Sequence, residues 1–166
     1  MIYKEVKELN KSITRMITLL ARKSQSYIGI ALSKYNLTAA EQPFFMTLQH
    51  YEGITQEELT AIVCVDKAAT TRAVKSLEEK GFLVRIQDKE DRRQNRIYPT
   101  DAAKQLIDSV KSELHIFNNL LTQGIDPENL DLVYSVLLKM EENFSNISND
   151  KSVRKEQGGE KYGASE

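Results

Sequence analysis

Between Thr55 and Pro99 two helix starts follow one another closely and the hydrophobic period then changes from helical to alternating, an order that few folds accommodate. Thr55-Gln56-Glu57-Glu58 is a capping box, with threonine at the cap and glutamate three residues on, and it predicts a short helix over Gln56–Val63. Cys64-Val65-Asp66 follows, and Asp66 caps a stronger helix predicted over 67–80 and stopped by Gly81. Two helices joined by so short a turn form a helix-turn-helix candidate. Leu83–Gln87 and Asn95–Pro99 then alternate on either side of the charged residues 88–94. Those two runs read as a hairpin whose connector is too long for a two-residue turn, and the connector is the candidate wing.

The flanks are helical. From Ile2 apolar residues recur at Val6, Leu9, Ile13, Met16 and Leu20, and again at Tyr27, Ala31 and Tyr35, which predicts one long amphipathic helix with a bend near Gly29. Thr38-Ala39-Ala40-Glu41 is a second capping box; Pro43 removes a hydrogen bond in the second turn and predicts an irregular start to that helix, which Gly53 ends. Thr100 or Asp101 opens a helix bearing Ala102, Leu106, Ile107, Val110, Leu114, Phe117 and Leu121 near one face, and Gly124 breaks it. Asp126-Pro127 starts the last helix, with Leu130, Val133, Leu137, Met140, Phe144 and Ile147. Residues 149–166 mix glycine with charge and are expected to be disordered. The expected organisation is therefore an N-terminal helix over 1–35, a winged helix-turn-helix over 36–100, C-terminal helices over 101–148 and a tail: mainly α with a small β-hairpin wing.

Charge narrows the partners. The chain has 23 basic and 24 acidic residues, so no basic footprint covers the whole protein. Over residues 66–96, however, nine cations face six anions, a local net charge of +3. The single cysteine, Cys64, excludes an intrachain disulfide framework and fits a reducing compartment. The N-terminus carries acid early, unlike a signal peptide, and no stretch approaches the ~20 apolar residues a bilayer span requires. A cytoplasmic protein without a membrane partner is expected.

A helix roughly 10–12 Å across fits the major groove of double-stranded DNA, where the side chains of its first turns meet base edges. Lys67, Ala68, Thr70, Thr71, Arg72 and Lys75 occupy that end of the second helix, with Ala73, Val74 and Leu77 turned inward. Arg72 suits a bidentate contact to guanine, and the threonines suit phosphate or a thymine methyl. Thr55 and Gln56 open a helix whose free N–H groups can hold phosphate. In the wing, Arg92 and Arg93 are candidates for a narrow minor groove, and Asp91 is placed to orient an arginine.

The run from Asp66 through Leu77 and Gly81 to Arg85, followed by Asp88-Lys89-Glu90-Asp91-Arg92-Arg93, resembles the MarR (multiple antibiotic resistance regulator) family. Leu37-Thr38, Phe44-Phe45, Leu48, Thr55 and Glu58-Leu59 extend the resemblance to about Ala31 through Leu106. It implies a homodimer of six-helix subunits, each with a wing, in which the N- and C-terminal helices form the dimer interface. It also implies a pseudopalindromic operator, usually repression, and release by a small aromatic or anionic effector or by oxidation. By motif position, Asp91 and Arg93 match the family's Asp-x-Arg wing motif, and Thr70, Thr71 and Arg72 its recognition helix. Two features depart from the pattern. Pro99-Thr100 and Asp101-Ala102-Ala103 stand where the family usually has Leu-Thr and then a glycine, and no cysteine lies in the first helix, where oxidation-sensing members carry theirs.

Other residues read more plainly. Cys64, between Ile62-Val63 and Val65, is expected to be a small buried residue. His50 and His115 are solitary, and no metal-ligand spacing, phosphate loop or nucleophile elbow appears, so neither an enzyme nor a cofactor is expected. The alternative to a DNA-binding regulator is a winged-helix protein-interaction module that does not bind DNA.

Overall fold

The computed structural model describes residues 12–149; the expectations for Ile2, Val6, Leu9 and residues 150–166 lie outside it. Among the described residues there are six α-helices and one small sheet. They are α1 (Ile13–Leu32), α2 (Gln42–Leu48), β1 (Ile54–Thr55), α3 (Gln56–Val63), α4 (Lys67–Glu79), β2 (Leu83–Gln87), β3 (Asn95–Pro99), α5 (Asp101–Thr122) and α6 (Pro127–Asn149). The chain divides into two compact units, one up to Leu120 and one from Leu121. No helix among the described residues is long and apolar enough to cross a membrane.

Local chemistry accounts for the element ends. Ser12 caps α1, accepting the Arg15 N–H at 3.3 Å. The helix runs through Gly29, tightens to a 3-10 turn over Ser33–Tyr35 and stops at Asn36, whose φ of 59° is left-handed. The Thr38/Glu41 box forms, Glu41 Oε2 accepting the Thr38 N–H at 2.8 Å and Thr38 Oγ1 the Glu41 N–H at 3.2 Å. The α-helix itself begins only at Gln42, with Pro43 in its first turn, which is the irregular start that proline demands. Thr100 rather than Asp101 caps α5, its Oγ1 accepting the Ala103 N–H and donating to the Gly81 carbonyl.

The sheet has one strand more than the hairpin. Its order is β1-β3-β2, all antiparallel, with Ile54 opposite Ile97 and Arg85 opposite Ile97 on the other side. Leu83 and Ile97 turn into the core, whereas Val84 and Ile86 face water, so the sheet is covered on one side. That core joins Leu32, Leu37, Phe44, Phe45 and Leu48 to Leu59, Val74, Leu77 and Phe82, with Phe45 and Phe82 meeting edge to face at 5.5 Å. On α5 the buried face is Ala103, Ile107 and Val110; Ala102, assigned to it by periodicity, is exposed. Thr100, bonded to the Phe82 carbonyl, fixes the entry of the helix and brings Ala103 rather than Ala102 inward, while Ile107 and Val110 face the core as expected. Gly53 (φ +75°) closes the approach to β1, and a Cβ there would stand 2.9 Å from the Tyr98 hydroxyl, so a side chain would strain the backbone and have to displace the Tyr98 ring.

Cys64 departs from expectation. It is exposed, not buried, because it is the left-handed cap of α3 (φ 56°, ψ 44°), and that backbone turns its side chain away from the core. A left-handed non-glycine residue is strained by about 1 kcal/mol or more, so Cys64→Gly is expected to stabilise the protein by up to about 1 kcal/mol in urea unfolding. Destabilisation would show that the thiol makes a compensating contact.

Candidate nucleic-acid interface

α3 and α4 are positioned by their caps. Thr55 Oγ1 accepts the Glu58 N–H at 3.2 Å, while Glu58 Oε2 accepts the Thr55 N–H at 2.7 Å and the Thr55 hydroxyl at 3.0 Å, and these two bonds to the carboxylate hold it below the usual range. Asp66 Oδ1 accepts the Ala69 N–H at 2.8 Å. The Ala73, Val74 and Leu77 face then locks α4 onto the core, leaving its opposite side in water.

Of the residues nominated on these helices, Lys67, Ala68, Thr71, Arg72 and Lys75 are exposed and Gln56 is half-buried. Lys67 lies 3.6 Å from Glu57 and Lys75 3.7 Å from Glu79, loose exposed pairs that leave both ammonium groups available to another anion. Gln56 crosses to α4, its Nε2 donating to Thr71 Oγ1 at 2.9 Å. Arg72 also borders a recess with Thr38, Pro43 and Phe44. Thr70 does not join the exposed face. It has no exposed surface, and its hydroxyl is satisfied by the Asp66 carbonyl at 3.1 Å and by Thr60 Oγ1 at 3.0 Å. A direct contact from Thr70 to DNA is therefore excluded by burial. Its stripe partners three, four and seven residues on, Ala73, Val74 and Leu77, are the signal that could have placed it inside.

The wing is ordered by carboxylates. Asp88 Oδ1 accepts the Glu90 and Asp91 N–H groups at 2.7 and 3.2 Å, and its Oδ2 pairs with Arg96. The Glu90 N–H, then Arg96 and the Asp91 N–H, hold the Asp88 carboxyl below its ordinary range. Arg96 Nη1 also donates to the Gly53 carbonyl at 2.8 Å, tying the wing base to the strand before α3. Gln87 Nε2 donates to the Arg92 carbonyl at 2.6 Å. At the tip, Asp91 grips Arg93 in a fork, Oδ1 to Nε at 3.0 Å and Oδ2 to Nη2 at 3.1 Å, and accepts the Arg93 N–H at 3.1 Å. The Arg93 side chain is nevertheless 90% exposed, and the fork lowers the Asp91 pKa. Arg92 is exposed as well.

Asp88 and Arg96 were not nominated for any role, although an aspartate opening a polar turn is a recognisable turn former. Arg85 is a third unforeseen element: it pairs with Glu78, Nε standing 3.1 and 3.2 Å from the two carboxylate oxygens, and so fastens β2 to α4. One recess brings Gln56 and Lys67 beside Arg85, Gln94 and Asn95, so the helix starts and the wing base border a common surface. Among the described residues no three His, Cys, Asp or Glu side chains are grouped to hold a metal.

Residues 37–94 match the model of the MarR family. The chain is 32% identical to YdgJ, an uncharacterized HTH-type transcriptional regulator of Bacillus subtilis (strain 168), over 75% of this chain and 72% of that protein. It is 31% identical to a MarR transcriptional regulator from Methanosarcina mazei Go1 whose crystal structure superposes with a TM-score of 0.76, covering 81% of this chain and 97% of that one. A MarR family regulator from Listeria monocytogenes, crystallised with 26mer DNA, has the same fold at 24% identity and a TM-score of 0.77, over 93% of this chain and 100% of that one. The six helices and three-stranded wing sheet of the described residues agree with the matches across most of two relatives: the chain belongs to the MarR family of transcriptional regulators.

Proposed function

We propose that the protein is a homodimeric, cytoplasmic repressor that binds a pseudopalindromic operator through Lys67, Thr71, Arg72 and Lys75 in the major groove and Arg93 in the flanking minor groove. The observation that carries this reading is the Asp91–Arg93 fork: a carboxylate is spent holding an arginine outward at the tip of an ordered wing. An arginine so placed makes little sense in a solvated loop and fits a groove of negative potential. Thr55 and Gln56 serve the adjacent phosphate at the α3 N-terminus.

Uncovered apolar surface supports the dimer. Within the first unit Ile13, Met16, Ile17 and Leu20 of α1 are exposed; within the second, Leu132, Val133, Val136 and Leu137 of α6 are exposed. A second subunit would bury such faces. The N- and C-terminal helices thus act as the dimerisation elements around the 36–100 DNA-binding unit. Two recognition helices would then enter successive major grooves about 10 base pairs apart. A small aromatic or anionic effector that binds more tightly to a DNA-incompetent spacing would release the operator, in proportion to that difference in affinity alone.

The test is selection of bound genomic fragments followed by mobility shifts across a salt series. Affinity is expected in the range of about 10⁻⁸ to 10⁻¹¹ M, with log K falling linearly against log salt. A protein that enriches no fragment would instead be a winged-helix interaction module, and the repressor reading would be wrong.

A further inference from the structure

Thr71 is exposed on α4, yet much of its hydrogen-bonding capacity is used inside the protein. Its Oγ1 donates to the Lys67 carbonyl at 2.8 Å and accepts from Gln56 Nε2 at 2.9 Å. A hydroxyl has one proton and two lone pairs, so the proton and one lone pair are committed. Without a free proton Thr71 cannot donate to guanine N7 or O6, adenine N7 or thymine O4, the acceptors that line the major groove. What it retains for contact is one lone pair, able to accept from adenine N6 or cytosine N4, and the γ-methyl, whose apolar counterpart in that groove is the thymine C5-methyl.

We infer that Thr71 specifies thymine by methyl-to-methyl contact, and that Gln56 is the positioning residue that holds its rotamer. Threonine in a helix divides between two χ1 wells, one reason being the bond its hydroxyl makes to a carbonyl one turn back. The bond from Gln56, arriving from a second helix, favours the well that keeps the hydroxyl bound and the methyl in a constant place. Gln56 retains one amide proton and its Oε1, so its hold on Thr71 is compatible with a contact of its own. This inference rests on the DNA-binding reading and goes beyond it, by assigning which base one residue reads and through which atoms.

The experiment uses the full chain and the operator duplex obtained by genomic selection. Each thymine of a half-site is replaced in turn by deoxyuridine, which lacks only the methyl. One position per half-site is expected to lose about fourfold in affinity, the value of one buried methyl group. Thr71→Val, which keeps a methyl and removes the hydroxyl, is expected to retain that preference for thymine over uracil. Thr71→Ser, which keeps the hydroxyl and removes the methyl, is expected to abolish it. Gln56→Ala is expected to reduce the thymine-to-uracil ratio at the same position, a readout that loss of a phosphate contact would leave unchanged. Indifference at every thymine, or a preference that survives in Thr71→Ser and vanishes in Thr71→Val, overturns the inference. Operator binding with no methyl effect defeats this assignment alone, whereas failure of the wild-type chain to bind any fragment defeats the repressor reading along with it.

Discussion

Replacing Arg93 by alanine is expected to weaken operator binding by the proposed dimer on the order of 10²-fold, since both subunits would lose a charge-assisted contact at once. Sedimentation should show the dimer unchanged, because Arg93 is at the wing tip and its partner within the protein is Asp91 two residues away. The companion variant, Asp91→Ala, separates two explanations of the wing. If only net charge matters, removing an anion beside the DNA should strengthen binding. If the fork matters, binding should weaken, because Asp91 both orients the guanidinium through Nε and Nη2 and accepts the N–H groups of Arg93 and of the Gln94 side chain. The fork leaves Nη1 and one Nη2 proton directed outward, enough for a groove or phosphate contact. Weakening of about tenfold is expected for Asp91→Ala. Tighter binding in the mobility shift would show that the carboxylate restrains Arg93 instead of presenting it. Asp91 is held ionised to lower pH than an ordinary aspartate by its bonds to Arg93, so the fork present at neutral pH should persist through mild acid and be lost only as pH falls through the lowered pKa.

The second large effect concerns stability. Lys80, just past α4, places its Nζ 2.7 Å from both oxygens of Glu41, and Ser76 donates to Glu41 Oε1 at 2.5 Å. The Glu41 side chain is only 6% exposed. Burial by itself raises the pKa of this carboxyl, but the bonds from Lys80, Ser76 and the Thr38 N–H outweigh it and the net shift is downward. Lys80→Met removes the charge partner and leaves a buried carboxylate, a change expected to cost about 3 kcal/mol at pH 7. Adding Glu41→Gln, which keeps groups able to bond Thr38 and Ser76, should recover most of that loss. Chemical unfolding of the two single variants and the double variant measures the coupling directly, and additive losses would show that the pair does not act as a unit.

The pH dependence supplies an independent check. An ordinary glutamate titrates near 4.5, and in the native protein Glu41 lies lower. Its contribution is therefore present above that value and is withdrawn as pH falls through the depressed folded pKa. In Lys80→Met the first of the lowering bonds is lost, so the folded pKa of Glu41 is expected to lie above its value in the native protein. The deficit of the variant should then shrink as the solution is acidified from pH 7 towards pH 4. A deficit that widens over that interval would contradict the assignment.

Much of the candidate interface was legible in the sequence because the elements that form it are set locally. Caps act within one turn, so the Thr55/Glu58 capping box and the Asp66 N-cap announced where both helices begin. Alternation over Leu83–Gln87 and Asn95–Pro99 marked the wing, and Asp91 and Arg93 are near enough in sequence for their pairing to be anticipated. β1 was missed because two residues carry no period, and it exists as a strand only because β3 lies beside it. Thr70 was placed outside because its hydroxyl reads as polar, yet the Asp66 carbonyl one turn back satisfies that hydroxyl and allows burial.

By itself the sequence determined the helix starts, the hairpin, the confinement of basic charge to one unit and the carboxylate at the wing tip, all of them set by side chains within a few residues of one another. Only the tertiary structure decided the pairing of Glu41 with Lys80, 39 residues on, the link from Arg96 back to Gly53, 43 residues away, and the crossing from Gln56 to Thr71. The same holds for which way Thr70 and Cys64 face. The physical reason is that a cap or a turn closes its bonds through the chain's own backbone, whereas these contacts form only after the hydrophobic core has brought separate elements together and fixed which side of each is left to water.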